Sequence, residues 1–245
     1  MKILIVNDDG IEAKGLHSLA KQLCQQHEVC VVAPMHQRSG FSHAVTLHAP
    51  LHYEEVPAEG YRAYRLEGTP CDCVKFAYLQ WMHDADLVIS GINDTVNVGD
   101  DILYSGTINA AIEGGLCGVP SMAVSVDVVD DDYELVSAFV ANNLSVLLSM
   151  CKGDQILSVN FPSSKAEDIK GLCVAPAGIK RFDDYYVLVD GLYYLKGEPI
   201  PADNAPNCDV NQLKLGNIVL TPIRYQYTDE ARLAALEGQA GKLCW

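Results

Sequence analysis

The stretch that decides the fold is residues 1–10, Met-Lys-Ile-Leu-Ile-Val-Asn-Asp-Asp-Gly. Its apolar run, residues 2–6, is typical of a β-strand buried on both faces, as in a parallel sheet covered by helices. The polar residues 7–10 end this run abruptly. Such a strand predicts an α/β fold with carboxylates at the carboxyl end of the first strand, the edge where open α/β sheets bind ligands.

The chain beyond this stretch alternates between helix-like and strand-like patterns. Apolar residues at 16, 19, 20, 23 and 24 have the spacing of an amphipathic helix. We predict buried strands at 29–33, 87–89, 122–126 and 156–161, a turn at 90–93, helices around 108–115 and from 135, and short extra strands within 45–67. This order predicts a Rossmann-like, doubly wound, mostly parallel sheet.

The second half carries a hairpin signal. Asp190-Gly191 stands between the β-rich runs 185–189 and 192–195, which suits a type I′ turn. A strand at 218–220 and a closing helix at 229–237 are also expected. We predict one domain over 1–245, with a Rossmann-like core at 1–160 and an oligomerisation hairpin with C-terminal elements at 161–245. A tyrosine-rich hairpin outside the sheet has little core to cover, so we expect it to pack against another subunit.

Composition excludes several classes of protein. The formal net charge of −15 argues against partners such as a nucleic-acid polymer or an anionic membrane, and no apolar run approaches bilayer-spanning length. The N-terminal apolar run is too short for a signal peptide. The nine cysteines include no Cys-x-x-Cys pair, which favours reduced thiols in a cytoplasmic protein. These are residues 24, 30, 71, 73, 117, 151, 173, 208 and 244.

Polar residues follow several of the predicted strands. The adjacent carboxylates of Asp8 and Asp9 repel each other, which a hard divalent cation would offset, but a solvated turn explains the pair equally well. The next strand leads to Arg38, which suits a phosphate, and to Ser39, which offers a neutral oxygen. Asn93 offers a neutral carbonyl oxygen. Taken singly, each of these loops is also explained by ordinary polar or turn chemistry.

A fourth element precedes a predicted helix. Ser105, Gly106 and Thr107 combine hydroxyls and a glycine at a helix start, which suits either an anion site or plain N-capping. The strand–helix alternation brings all four elements to one edge of the sheet. Cation ligands beside an anion site indicate phosphoryl chemistry, and the cation would counter the repulsion between an acidic chain and a phosphate.

Five ordered motifs together resemble the survival protein E (SurE) family. They are Asn7-Asp8-Asp9-Gly10, Arg38-Ser39-Gly40, Gly68-Thr69-Pro70, Ser90-Gly91-Ile92-Asn93 and the stretch 99–107. Asn160-Phe161-Pro162 and Thr221-Pro222 extend the resemblance more weakly toward the C-terminus. The resemblance implies a phosphohydrolase of nucleoside 5′-(and 3′-)monophosphates, with one Mg²⁺ or Mn²⁺ per subunit. It also implies a homodimer or homotetramer with an extended hairpin and a swapped C-terminal segment.

The resemblance also implies roles for individual residues. The metal ligands are expected to be Asp8, Asp9, Ser39 and Asn93, with Asp8 and Asp9 also catalytic. The substrate phosphate is expected at Gly10, Asn97, Ser105, Gly106 and Thr107. Two departures from the family pattern, Gln37 for asparagine and Thr95 for glycine, are expected to affect substrate preference more than metal binding.

Several alternatives stay open at this point. Either a metal-activated water or Asp8 itself could attack the phosphorus. A non-catalytic, metal-dependent nucleotide sensor could use the same residues, as could a phosphatase acting mainly on short polyphosphate. A haloacid dehalogenase-like phosphatase is disfavoured, because that class needs carboxylates two residues apart. His36 and His43 are interpreted as solvated loop histidines rather than as general acids.

Overall fold

A computed structural model describes residues 1–240 and 242. The strands are β1 (Lys2–Val6), β2 (Glu28–Pro34), β3 (Tyr53–Val56), β4 (Arg62–Leu66), β5 (Leu87–Asn93), β6 (Ser121–Val126), β7 (Gln155–Phe161), β8 (Gly171–Val174), β9 (Arg181–Val189), β10 (Leu192–Ile200) and β11 (Asn217–Arg224). The helices are α1 (Lys14–Leu23), α2 (Pro70–Gln80), α3 (Gly106–Leu116), α4 (Glu134–Asn142), α5 (Leu144–Met150), α6 (Asp209–Lys214) and α7 (Glu230–Ala240), with 3₁₀ turns at Gly99–Leu103 and Ala166–Asp168.

The central sheet confirms the predicted α/β class. Within the described residues it has nine strands in the order β3-β4-β2-β1-β5-β6-β7-β11-β8. Neighbouring strands from β4 to β7 run parallel, whereas β3 pairs antiparallel with β4 and β11 pairs antiparallel with β7. Since β8 and β11 come after residue 160, the sheet draws strands from both parts of the chain.

Strand β1 shows why this sheet is covered on both faces. Ile3 and Ile5 lie in a core with α1 and α4, whereas Leu4 and Val6 lie in a second core with α2 and α3. Successive side chains of a strand point to opposite faces, so an unbroken apolar run needs helices on both sides. The predicted apolar face of α1 is confirmed, with its leucines fully buried.

The topology creates a crevice at the carboxyl end of β1. Strand β1 lies between β2 and β5, and the chain turns to opposite sides of β1 to form these two neighbours. In doubly wound sheets such a switch point is the usual ligand-binding position. The loops after β1 and β2 and the end of β5 therefore meet at one place.

The turn predicted at 90–93 is wrong, because β5 continues to Asn93. The strand passes β6 with a register shift between Ser90 and Asn93. Gly91 has φ +138°, and a Cβ there would lie 2.3 Å from the carbonyl oxygen of Val124. The glycine reflects this close backbone approach inside a strand rather than the end of the strand.

The hairpin β9–β10 confirms the sequence signal. Asp190 and Gly191 have φ +51° and +81°, as a type I′ turn requires. Both strands are almost entirely exposed in the monomer. Eight cysteines are free thiols, Cys244 lies outside the described residues, and no described helix is long and apolar enough to cross a membrane.

Candidate active site

The loop after β1 is closed by the side chain of Asn7. Its Nδ2 donates to the carbonyl oxygen of Gly10 (3.0 Å), and the Gly10 N–H donates to its Oδ1 (3.2 Å). Gly10 has φ +99° and lies against β2, where a Cβ would stand 3.3 Å from the Pro34 carbonyl oxygen. This tight turn holds Asp8 and Asp9 in the crevice.

Asp8 is buried against the N-terminus of α3. The Thr107 hydroxyl donates to Asp8 Oδ1 (2.5 Å), and a Cβ on Gly106 would lie 2.7 Å from the Asp8 Cβ. Burial raises the pKa of Asp8, and the hydrogen bonds from the side chain and main chain of Thr107 oppose that shift. The structure thus brings the predicted metal ligand and the predicted phosphate residues into contact.

Asp9 lies in an unfavourable environment for its negative charge. Burial, followed by the charges of Asp8 and Asp94, raises the pKa of Asp9 to about 7, while a hydrogen bond from Gln37 opposes the shift. Sequence reasoning gave Asp94 no role, although a carboxylate directly after Asn93 was a usable signal. A positive charge placed beside Asp8 and Asp9 would therefore be strongly favoured.

The loop after β2 is fastened to the loop after β1. The Arg38 N–H donates to the Asp8 carbonyl oxygen (2.6 Å), and Gln37 Nε2 donates to Ser39 Oγ (3.1 Å). Since Gln37 also lowers the pKa of Asp9, it lies close to both predicted ligands, Asp9 and Ser39. Ser39 is exposed, so its hydroxyl is accessible to a ligand.

The end of β5 brings two asparagines to the crevice. Asn93 Nδ2 donates to the carbonyl oxygen of Thr95, which leaves the Asn93 amide oxygen as the end suited to a cation. Asn97 is buried, and its Nδ2 donates to Ser125 Oγ (2.9 Å). Its main chain is held by Asn160, a residue for which sequence reasoning proposed no role.

Helix α3 starts two residues earlier than its apolar pattern indicated, at Gly106 rather than near Ile108. Ser105 is the N-cap, and its hydroxyl accepts from the Ile108 N–H (3.0 Å). The first main-chain amides of a helix have no partner within the helix and attract anions. In this structure the Thr107 amide and hydroxyl already bind a carboxylate, that of Asp8.

The interpretation of His43 as a solvated loop residue is wrong. Its Nε2 lies 2.8 Å from Glu113 Oε2, and its side chain is only 26% exposed. Glu113, buried on α3, also accepts from Lys75 Nζ (2.5 Å). The contact ties the loop that follows Ser39 to the helix that faces Asp8. His36, in contrast, is exposed as expected.

We expect Glu113→Gln to remove a pH-dependent part of the stability. Burial raises the pKa of Glu113, but hydrogen bonds from His43 and Lys75 outweigh it, so the pKa lies below its ordinary value. The charge therefore stabilises the fold above the unfolded-state pKa of about 4.3 and ceases to do so as pH falls through the folded-state pKa. The free energy of unfolding should drop by about 1–2 kcal/mol at pH 7.

Urea unfolding of both proteins between pH 3 and pH 7 measures this effect. The difference in unfolding free energy should shrink as pH falls through the folded-state pKa, below which the carboxyl is protonated in both states. Glu59→Gln, at an exposed loop position, is the matched control and should show no such difference. A Glu113→Gln penalty that is constant with pH would contradict the assignment.

The donor set also indicates which kind of cation fits. No group of three or more His, Cys, Asp or Glu side chains suited to a metal occurs among the residues described by the structure. The expected donors are two carboxylates, one hydroxyl and one amide, all of them oxygen. Hard cations that keep part of their water shell, such as Mg²⁺, take this kind of partial oxygen site.

Fold and site together define a doubly wound α/β protein with adjacent carboxylates at the carboxyl end of β1, one of which is bonded to the first turn of α3. The family model described as Survival protein SurE matches residues 3–184. The chain is 39% identical over 246 residues to a 5′-nucleotidase SurE of Clostridium beijerinckii, covering 96% of this chain and 97% of the relative. A 5′-nucleotidase SurE of Clostridium botulinum (strain Alaska E43) is 39% identical over 240 residues, covering 94% and 95%.

The chain therefore belongs to the SurE family. A solved structure agrees, since the crystal structure of the SurE protein from Aquifex aeolicus matches with a TM-score of 0.83 at 27% identity. That match covers 98% of this chain and 100% of the other. The family resemblance inferred from the five motifs is thus confirmed.

Proposed function

We propose that this protein is a divalent-metal-dependent phosphatase that hydrolyses nucleoside 5′-monophosphates, and also 3′-monophosphates, to nucleoside and phosphate. Membership in a family whose curated members are named 5′-nucleotidase supports the coarser statement, that the chain is a nucleotidase and a phosphoric monoester hydrolase. The proposal of metal-dependent hydrolysis of nucleoside monophosphates rests on one observation, the packing of Asp8 against the N-terminus of α3.

The electrostatics of the crevice support a cation. Asp8 and Asp9 are adjacent, largely buried and close to the charge of Asp94, so their negative charges are costly without a counter-ion. We propose that Asp8, Asp9, Ser39 and Asn93 hold one Mg²⁺ or Mn²⁺ per subunit. A chain of formal charge −15 also needs a local positive charge to attract a phosphate.

The chain's own groups account for the rest of the chemistry. When bound, the cation would neutralise charge that develops on the phosphoryl group. The Gly106 amide at the start of α3 and the side-chain amide of Asn97 would hold the phosphoryl oxygens, with Gly10 allowing close approach. Thr107 would act through Asp8, whose carboxylate it already binds. We favour water over Asp8 as the nucleophile, because the Asp8 carboxylate is already engaged by Thr107.

A phosphate-release assay tests the activity. Phosphate release is measured with 5′- and 3′-mononucleotides and with short polyphosphate, in Mg²⁺, in Mn²⁺ and in chelator. We expect turnover of mononucleotides with either cation and none in chelator, restored by excess metal. Tight nucleotide binding without phosphate release would instead identify a sensor, and preference for polyphosphate would identify the other alternative. The stereochemical course at phosphorus tests the nucleophile. With a substrate whose phosphate is made chiral with oxygen isotopes, inversion supports one displacement by water, whereas retention supports two displacements through a phosphorylated Asp8.

We also propose that the hairpin β9–β10 contacts a second copy of the chain in a homodimer or homotetramer. Tyr186 and Tyr193 are 67% and 70% exposed, and their rings contact each other edge-to-face across the hairpin. An exposed aromatic surface of this kind marks protein–protein contacts. No further observation supports the exchange of the C-terminal segment or the cytoplasmic location, and both stay predictions.

The hairpin prediction is checked by replacing both tyrosines. We expect Tyr186→Asp with Tyr193→Asp to lower the oligomeric state measured by light scattering coupled to gel filtration, because two charges would have to be buried in the contact. Leu79→Asp, at a residue 65% exposed on α2 and outside both the hairpin and the C-terminal segment, is the control and should leave the mass unchanged. An unchanged mass in the double variant would place the contact elsewhere.

A further inference from the structure

Asn160 is a buried asparagine in the central sheet that the proposed chemistry does not use. It lies in β7, is 1% exposed, and is the register partner of Ser125 on the parallel neighbour β6. Both side chains reach the same residue, Asn97, in the loop after β5. Asn160 begins the Asn-Phe-Pro motif noted in the sequence.

Asn160 binds the main chain of Asn97 at both of its polar groups. The Asn97 N–H donates to Asn160 Oδ1 (2.8 Å), and Asn160 Nδ2 donates to the Asn97 carbonyl oxygen (3.2 Å). The second hydrogen of that nitrogen goes to Ser158 Oγ (3.0 Å). The side-chain amide of Asn160 therefore pairs with the main chain of Asn97 as a neighbouring β-strand would, although Asn97 lies in a loop.

This arrangement needs an amide. A carboxylate could accept from the Asn97 N–H but could not donate to its carbonyl, and a serine could not span both groups. Asn160 thus sets the main chain of Asn97, and Ser125 binds its side-chain amide. One hydrogen of that amide is used by Ser125, which leaves the other for a phosphoryl oxygen.

We infer that Asn160 is a positioning residue. It holds the main chain of Asn97, so that the side-chain amide of Asn97 is placed to bind the phosphoryl group. The inference rests on the proposed function, in which Asn97 binds phosphate. Misplacing a binding group by about 1 Å can cost on the order of 10²-fold in rate. We therefore expect Asn160→Ala to lower kcat/KM for a nucleoside monophosphate by about 10- to 100-fold, although residue 160 touches no substrate.

A double-mutant cycle tests whether Asn160 acts through Asn97. Steady-state kinetics and inhibition by inorganic phosphate are measured for Asn160→Ala, Asn97→Ala and the double variant. Because the two residues form one unit, the double variant should be no worse than Asn97→Ala alone. Phosphate inhibition should weaken in all three variants to a similar degree. The inference would be overturned if the kcat/KM losses of the two single variants multiplied in the double variant. It would also be overturned if Asn160→Ala left kcat/KM unchanged.

Two further variants separate positioning from folding. Asn160→Asp keeps the shape of the side chain and the acceptor for the Asn97 N–H, but it loses the donor to the Asn97 carbonyl oxygen. This variant tests that donor if Asn160→Ala does not fold. It should also lower kcat/KM and be non-additive with Asn97→Ala. Asn143→Ala, which removes a bond to the Phe139 carbonyl at the end of α4, should cost stability but leave kcat/KM unchanged. Absence of turnover in the unmodified protein would refute the proposed function itself, and direct phosphate binding by the same variants would then still test Asn160.

Discussion

Asp8→Asn should lower kcat for hydrolysis of a nucleoside monophosphate by about 10³-fold or more, the largest single effect we expect. The change removes one negative charge from the proposed cation site and leaves the shape of the side chain intact. The amide that replaces the carboxylate would still offer an oxygen to the Thr107 hydroxyl, so the start of α3 should keep its place. The metal concentration needed for half-maximal activity should also rise.

The stability of this variant gives an independent check. Burial raises the pKa of Asp8, which means that its charge is costly in the metal-free fold. The metal-free variant should therefore unfold at the same temperature as the unmodified protein or at a higher one. Asp86→Asn, which alters a carboxylate at the opposite end of β1 that accepts from the Lys2 N–H, is the control and should keep full activity. A kcat within tenfold of the unmodified protein would remove Asp8 from the proposed centre.

Gly106→Ala should reduce kcat/KM by about 10²-fold, because the added methyl group has no room. Its Cβ would stand 2.7 Å from the Asp8 Cβ and 2.8 Å from Asp8 Oδ2. Because rotation of the Asp8 side chain cannot move its Cβ, either the main chain at Asp8 or the start of α3 must move. Both movements separate the proposed cation ligand from the proposed phosphate amides, and the crowding should also cost about 1–3 kcal/mol of stability.

Gly238→Ala is the matched control for this substitution. Gly238 lies in α7, and a Cβ there would meet no described atom within 4 Å. Alanine should stabilise that helix by up to about 1 kcal/mol without changing kcat/KM. If Gly106→Ala kept its activity while losing stability, the glycine would serve packing alone.

The class of fold was readable from the sequence because its signals are local. The unbroken apolar run of β1, the helical spacing in α1 and the Asp190-Gly191 turn each depend on a few neighbouring residues. The end of β5 was predicted wrongly because it depends on pairing with another strand rather than on neighbouring residues. Ser90-Gly91-Ile92-Asn93 has the composition of a turn, but pairing with β6 carries it on as a strand, and only Gly91 allows the Val124 carbonyl to come so close.

The candidate site was predictable in its parts but not in its contacts. Adjacent carboxylates after β1 and a hydroxyl–glycine start of α3 suggested a cation and an anion on one edge of the sheet. That Thr107 donates to Asp8 across 99 positions of the chain is not a property of either segment. His43 was misread for the same reason, since its partner Glu113 is 70 positions away.

The sequence by itself determined the α/β class, the family and the two adjacent aspartates, because periodicity and motif spacing are written along the chain. Only the tertiary structure decided that the start of α3 rests on Asp8, that Gln37 lies close to both Asp9 and Ser39, and that Asn160 holds Asn97. The physical reason is that each of these contacts depends on the order and register of the strands. Strand order arises from packing of the whole sheet, and it alone brings distant loops to the end of β1.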